Sequence, residues 1–377
     1  MLDLTRVLAG PLCTMALGDL GADVIKIERP GSGDDSRSWG PPFDDRGESA
    51  YFLSINRNKW SVAADLDRRE DIALIASLAA DADVVVENFR PGMLERRGIG
   101  AADLLDRHPR LVWTTITGFG DRSTRIGYDF VVQAEQGWMA ITGDPAGPPV
   151  KVGVALADVI AGKDAAIAVL AMLAARARGP APPASRHATI SLAHSATAAL
   201  VNVAQNVLVG GDDAGRWGNA HPNLVPYQLF DTADRPLALA VGTDAQWRAC
   251  ALALGLHELA NDPSLATNAG RVAQREHVVT CFASRFRERP AAEWMARLGV
   301  AEVPAGLVRS VREALGSVAA SALTGIAPSL PGSVRYPPPR LDEHGAAIRS
   351  LGWAAFTPAA MPAHAGEQPS SPPAAET

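Results

Sequence analysis

The chain has 377 residues, 41 acids against 35 Lys and Arg, and a formal charge of −6, with 47% hydrophobic and 20% charged residues. Its length suits two domains better than one, and its acidic balance excludes a general nucleic-acid or anionic-membrane binder, which carries a basic excess. The apolar fraction is that of a soluble globular chain, and 34 Gly with 28 Pro predict many turns and extended connections.

In chain order, Leu2–Thr5 reads as a strand, Leu12–Leu20 as a helix that begins after Ala9-Gly10-Pro11, and Asp23–Glu28 as a second strand rich in β-branched residues. The alternation continues with a helix over Ile72–Ala80, a strand over Asp83–Glu87, a helix over Ala101–Asp106 and a strand over Leu111–Ile116. Apolar strands separated by helices predict an α/β fold, with a Rossmann-like parallel sheet covered on both faces. A long apolar helix runs from Asp158 to about Ala177, a strand from Ala188 to Leu192, and a single helix from there to Leu208. We read 1–208 as the large domain, 209–226 as a Gly- and Asp-rich linker, 227–318 as a smaller α+β domain, 319–356 as a segment returning to the large domain, and 357–377 as a disordered tail.

Cys13, Cys250 and Cys281 are widely spaced and odd in number, which predicts neither disulfides nor a cysteine zinc site and fits a cytoplasmic location. The longest apolar run, Ala165–Ala175, is shorter than the ~20 residues that cross a bilayer, so no membrane partner is expected. The histidines show no ligand spacing, so no metal is expected either.

The opening βαβ unit lacks the GxGxxG fingerprint, which argues against a dinucleotide although Glu28 ends the second strand. Basic residues stand near strand ends instead: Arg29, then Arg57 and Lys59, then Arg90, Arg96 and Arg97. Cations beyond the carboxyl ends of parallel strands suit a ligand with several phosphates, while any one of them alone reads as a solvated loop charge. Asp158 opens the long helix, as an N-cap or as a carboxylate nucleophile. The second role needs no activating base, because Asp is ionised at neutral pH and a helix N-terminus keeps it so. Tyr128-Asp129 reads as a site pair or a turn, and His221 as a substrate contact or an exposed loop residue.

Three strings, Leu2–Pro11, Ala22–Pro30 with Gly33-Asp34-Asp35, and Val86–Gly92, resemble the family III CoA-transferases, the group of formyl-CoA transferase and α-methylacyl-CoA racemase. Pro148–Val154 leading to Asp158, and Pro337–Leu341 with Glu343-His344, extend the likeness to about residue 352. The resemblance implies an interlocked homodimer acting on an acyl-CoA and a carboxylic acid, with CoA as substrate and no permanently bound cofactor. It places the nucleophile at Asp158, CoA contacts at Arg29, Asn88, Phe89, Arg90 and Arg96, and the acyl site at Tyr51, Tyr128 and Asp129. It also implies an aspartyl anhydride followed by an aspartyl-CoA thioester.

Tyr128 stands where the racemases have a His, and Leu8 where formyl-CoA transferase has a Gln. Arg216-Trp217-Gly218 with Ala220-His221 resembles instead the branch handling succinyl-CoA and dicarboxylates such as glutarate, where Arg216 or His221 would meet a distal carboxylate. Between Leu315 and Pro337 the chain is shorter than that family pattern. The alternatives are a racemase-type isomerase or a non-catalytic CoA-binding dimer.

Overall fold

The computed structural model describes residues 1–356, so the expectation for 357–377 falls outside it. Two compact units divide the described chain: one holds Met1–Trp138, Lys151–Gln205 and 317–356, the other Met139–Val150 and Asn206–Gly316.

The first unit is built on six parallel strands, β1 (Leu2–Leu4), β2 (Ile25–Glu28), β3 (Trp60–Ala63), β4 (Val84–Glu87), β5 (Val112–Thr117) and β6 (His187–Ser191), in the order β3-β2-β1-β4-β5-β6. This is the doubly wound order, and its direction reverses between β1 and β4, where an open α/β sheet forms its ligand crevice. One row of partners crosses the whole sheet, Trp60, Ile25, Leu2, Val85, Trp113 and His187. β3 was not predicted. Val62 is its only β-branched residue, and its place at the sheet edge comes from pairing with β2.

Helices cover both faces: α1 (Ala9–Asp19), α2 (Arg69–Ala80), α3 (Ala101–Arg107), α4 (Asp129–Glu135) and α5 (Leu156–Arg176). Leu2, Leu4, Ile25, Ile27 and Trp113 pack on one side with α2 and α3, while Val84, Val86 and Val112 pack on the other with α1 and α5. Along α5, Ala157, Ala161, Ala165, Val169 and Met172 are buried, a helical stripe of mostly small side chains that lets α1 approach closely. α1 starts earlier than expected, at Ala9, because Pro11 lies in the first turn, where a helix needs no N–H from it. The single helix expected after β6 is two, α6 (Leu192–Ala198) and α7 (Val201–Gly210), bent by 68° at a break where Val201 has φ +41°. No residue of α7 is buried.

The second unit has an antiparallel sheet of β7 (Tyr227–Asp231), β8 (Pro236–Ala240) and β9 (Ala305–Leu307), with helices α8 (Asp244–Ala253), α9 (Arg275–Phe286) and α10 (Ala291–Val300). Its core is aromatic: Phe230, Trp247, Phe282, Phe286 and Trp294 stack or meet edge to face.

Candidate active site

Asp158 lies in the first turn of α5. Ala155 holds the N-cap position with no side-chain bond, so Asp158 is not the cap. That duty falls to Asp129, at the start of α4, whose Oδ1 accepts the Ala157 N–H at 2.8 Å and whose Oδ2 accepts Gln133 Nε2 at 2.6 Å. Gln133 is fully buried and its Oε1 accepts the Val152 N–H at 2.8 Å, which ties the approach to α5 onto α4. The Asp158 carboxylate itself takes no hydrogen bond or ion pair from any described residue.

Burial and the neighbouring Asp129 push the Asp158 carboxyl up to about 7. This corrects the expectation that the helix N-terminus keeps it ionised at neutral pH: desolvation and a like charge outweigh the helix dipole. Tyr51 shares this neighbourhood. Its hydroxyl is pushed up to about 12 by burial and by Asp158, Asp129 and Asp34, and its ring meets Trp39 edge to face at 5.1 Å. Tyr128 is 53% exposed at the N-terminus of α4.

The cations divide into two sets. Beyond the carboxyl ends of β1, β2 and β4, Arg29 and Arg6 flank Asp35 at 3.7 Å each, and the Arg6 guanidinium lies 5.3 Å from the Phe89 ring. Arg90 and Arg96 are exposed and paired with no described residue, whereas Arg97 is held by Asp67 at 2.6 Å and by the Leu66 carbonyl. Arg6 was missed by sequence reading, although it directly follows the first strand. Asn88 directs its carboxamide to the backbone of Arg6, accepting the N–H at 3.0 Å and donating to the carbonyl at 2.8 Å.

Arg57 and Lys59 belong to the other set and correct the strand-end reading. They precede β3 and are buried. Arg57 is bidentate on Asp19 at 2.9 and 2.7 Å, and Lys59 pairs with Asp3 at 3.0 Å. Around Asp3 runs a chain of buried charges: Lys26 with Asp34 at 2.9 Å, Arg37 with Glu28 at 2.8 Å and Arg37 with Glu48 at 2.7 Å. Burial opposes each of these charges. Lys59 and Lys26 nonetheless hold Asp3 well below the usual carboxylate range, and Asp34 and Asp3 hold Lys26 above the ordinary lysine value.

This cluster supports a strained turn. Val7 has φ +72°, a left-handed conformation that costs a β-branched residue roughly 1–3 kcal/mol and persists only where its surroundings impose it.

In the second unit, Arg216 donates to the carbonyls of Gly147 at 2.8 Å, Asp144 at 3.1 Å and Ala140 at 3.4 Å. His221 Nδ1 accepts the Asn223 N–H at 3.0 Å, and burial and Arg275 push the ring below its ordinary pKa. Arg275 lies over the Trp217 ring at 4.8 Å and donates to the His221 carbonyl at 3.1 Å.

A doubly wound parallel sheet with unpaired arginines beyond its strand ends and an unpaired carboxylate at a helix start defines an α/β enzyme that takes an anionic ligand. Residues 1–344 match the family model of CoA-transferase family III, and the chain belongs to that family of enzymes. It is 43% identical over 316 residues to the succinyl-CoA:glutarate CoA-transferase of Mus musculus, covering 83% of this chain and 72% of that one. The succinate–glutarate CoA-transferase of Agrobacterium fabrum is 39% identical, over 83% of this chain and 80% of that one. The acetyl-CoA:oxalate CoA-transferase of Acetobacter aceti is 34% identical over 93% of both. Among solved structures, a CAIB/BAIF family protein from Brucella suis matches with a TM-score of 0.78 and 38% identity, over 93% of this chain and 97% of that one. Among the described residues no group of three or more His, Cys, Asp or Glu side chains is placed to hold a metal ion, and no single helix is long and apolar enough to cross a membrane.

Proposed function

We propose that this enzyme transfers CoA from succinyl-CoA or a related donor to a dicarboxylate, with Asp158 as nucleophile. The observation that carries this reading is an Asp158 carboxylate placed at a helix start and left without a hydrogen-bonding partner, beside Tyr51 and Asp129. A carboxylate oxygen of Asp158 attacks the thioester carbonyl; the C–S bond breaks, giving an acyl-aspartyl anhydride and CoA thiolate. The thiolate attacks the aspartyl carbonyl and releases the donor acid, leaving an aspartyl-CoA thioester. The acceptor carboxylate then attacks that thioester to form a second anhydride, and the thiolate takes the acceptor acyl group and frees Asp158.

No step moves a proton, which fits a nucleophile with no base beside it. Asp158 must be ionised, so kcat/KM rises with pH through about 7. Arg29, Phe89, Arg90 and Arg96 contact the CoA nucleotide, and Asn88 borders it. Tyr51, Tyr128 and Asp129 line the acyl site, and Arg216 or His221 meets the distal carboxylate of the acceptor.

The working form is a homodimer. The exposure of Phe130 (61%), Ile167 (65%) and Leu208 (78%) supports that reading. The three free thiols suit the reducing cytoplasm.

Incubation with succinyl-CoA followed by hydroxylamine and peptide mass spectrometry tests the mechanism. Modification is expected at Asp158 alone and absent from Asp158→Asn. An unmodified Asp158 during turnover would overturn it.

A further inference from the structure

Between β1 and α1, side chains from four parts of the chain hold the backbone of three consecutive residues. Asp3 Oδ1 accepts the Thr5 N–H at 2.9 Å, and Lys26 Nζ donates to the Thr5 carbonyl at 2.8 Å. Asn88 takes both backbone groups of Arg6, and Asp34 Oδ1 accepts the Val7 N–H at 3.2 Å. Of these side chains Asp3, Lys26 and Asp34 are buried. Asn88 alone reaches across from β4, over the point where the strand order reverses.

The turn leads into α1, which packs against the helix that carries Asp158. Two residues past Val7, the Ala9 carbonyl sits 2.5 Å from where a Cβ on Gly162 would stand, so only a glycine fits there. Gly162 is four residues after Asp158 and therefore on the same face of α5. On the other side, Asp34, which holds Val7, is among the charges felt by Tyr51 together with Asp158.

We propose that Asn88 is a positioning residue: its paired hydrogen bonds to Arg6 lock the Val7 turn in its left-handed form and so seat the first turn of α1 against the helix that carries Asp158. The inference rests on Asp158 being the nucleophile. It gives Asn88 a task distinct from holding CoA: the effect of its loss falls on the chemical step and not on acyl-CoA binding.

The test compares Asn88→Ala, Val7→Gly and the double variant in succinyl-CoA:glutarate exchange, with Asp158 adduct formation followed by mass spectrometry. Asn88→Ala is expected to lower kcat at least tenfold and leave the KM for succinyl-CoA within twofold. Glycine takes the left-handed conformation without strain, so Val7→Gly in the Asn88→Ala background is expected to recover at least threefold in kcat, and Val7→Gly alone to raise the thermal midpoint. If Asn88→Ala does not fold, Asn88→Asp, which keeps the acceptor for the Arg6 N–H and loses the donor, replaces it with the same expected rescue. A KM that rises at constant kcat, or folded single and double variants with equal kcat, would overturn the role of Asn88 while leaving Asp158 as nucleophile. A wild type that forms no Asp158 adduct would overturn both.

Discussion

Beneath the Thr5–Val7 turn each carboxylate faces a cation, Asp3 with Lys59, Asp34 with Lys26 and Glu28 with Arg37, and all three are held below their ordinary pKa although burial opposes it. At the start of α5, Asp158 faces another acid and is pushed up. The three carboxylates of the first region are buried and Asp158 is half-buried, all within one unit of one chain. In the first the charges are matched and serve to hold backbone. In the second a charge is left unmatched, which costs stability and leaves an oxygen free to form a bond.

Removing the unmatched charge is the strongest way to break this contrast. Asp158→Asn is expected to lower CoA exchange about 1,000-fold or more while the protein stays folded; exchange within tenfold of wild type would dissolve the distinction between the regions. Among the matched charges, Lys26→Met leaves Asp34 without its buried cation, and urea unfolding at pH 7 should show a loss of about 3–5 kcal/mol. A loss below about 1 kcal/mol would mean that the pairing does not support the fold.

The two regions also differ in the sign of their pH dependence. A carboxylate with a depressed folded pKa stabilises above its unfolded pKa, and that stability is lost as pH falls. Asp158 is the opposite case: its folded value of about 7 exceeds the unfolded one, so folding favours its protonated form and stability drains away as pH rises from about 4 to 7. Asp158→Asn should therefore be more stable than wild type at pH 8 by about 1–2 kcal/mol after allowing for solvent screening, and the gap should close by pH 4. The smallest expected effect sharpens the cause. Asn at 129 can still accept the Ala157 N–H, so Asp129→Asn removes the neighbouring charge and keeps the cap. The acidic limb of the kcat/KM profile should then move to lower pH; a limb that stays in place would assign the whole shift to burial.

The central strands were legible because Val84–Val86 and Val112–Ile116 are apolar and rich in β-branched residues. Asp158 stood out as an acid alone among apolar residues at a helix start, a pattern that suits a cap or a nucleophile, with the nucleophile role coming from the family resemblance. What escaped were properties set by partners far along the chain. Lys59 looks like a loop cation until Asp3, 56 residues earlier, is seen against it. The charge state of Asp158 was misjudged because Asp129 comes 29 residues before it, and the strain at Val7 is imposed by Asp34 and Asn88, which no local pattern connects to it.

The α7 helix has five exposed or half-exposed valines and leucines and nothing buried, and in the proposed homodimer this surface would tie the enzyme to mass action. If a second chain covers it, folding and association become one equilibrium, and the midpoint of unfolding climbs with protein concentration. Specific activity would then fall on dilution well before any chain loses its own sheet, so assays run at nanomolar enzyme would report subunit dissociation as weak catalysis.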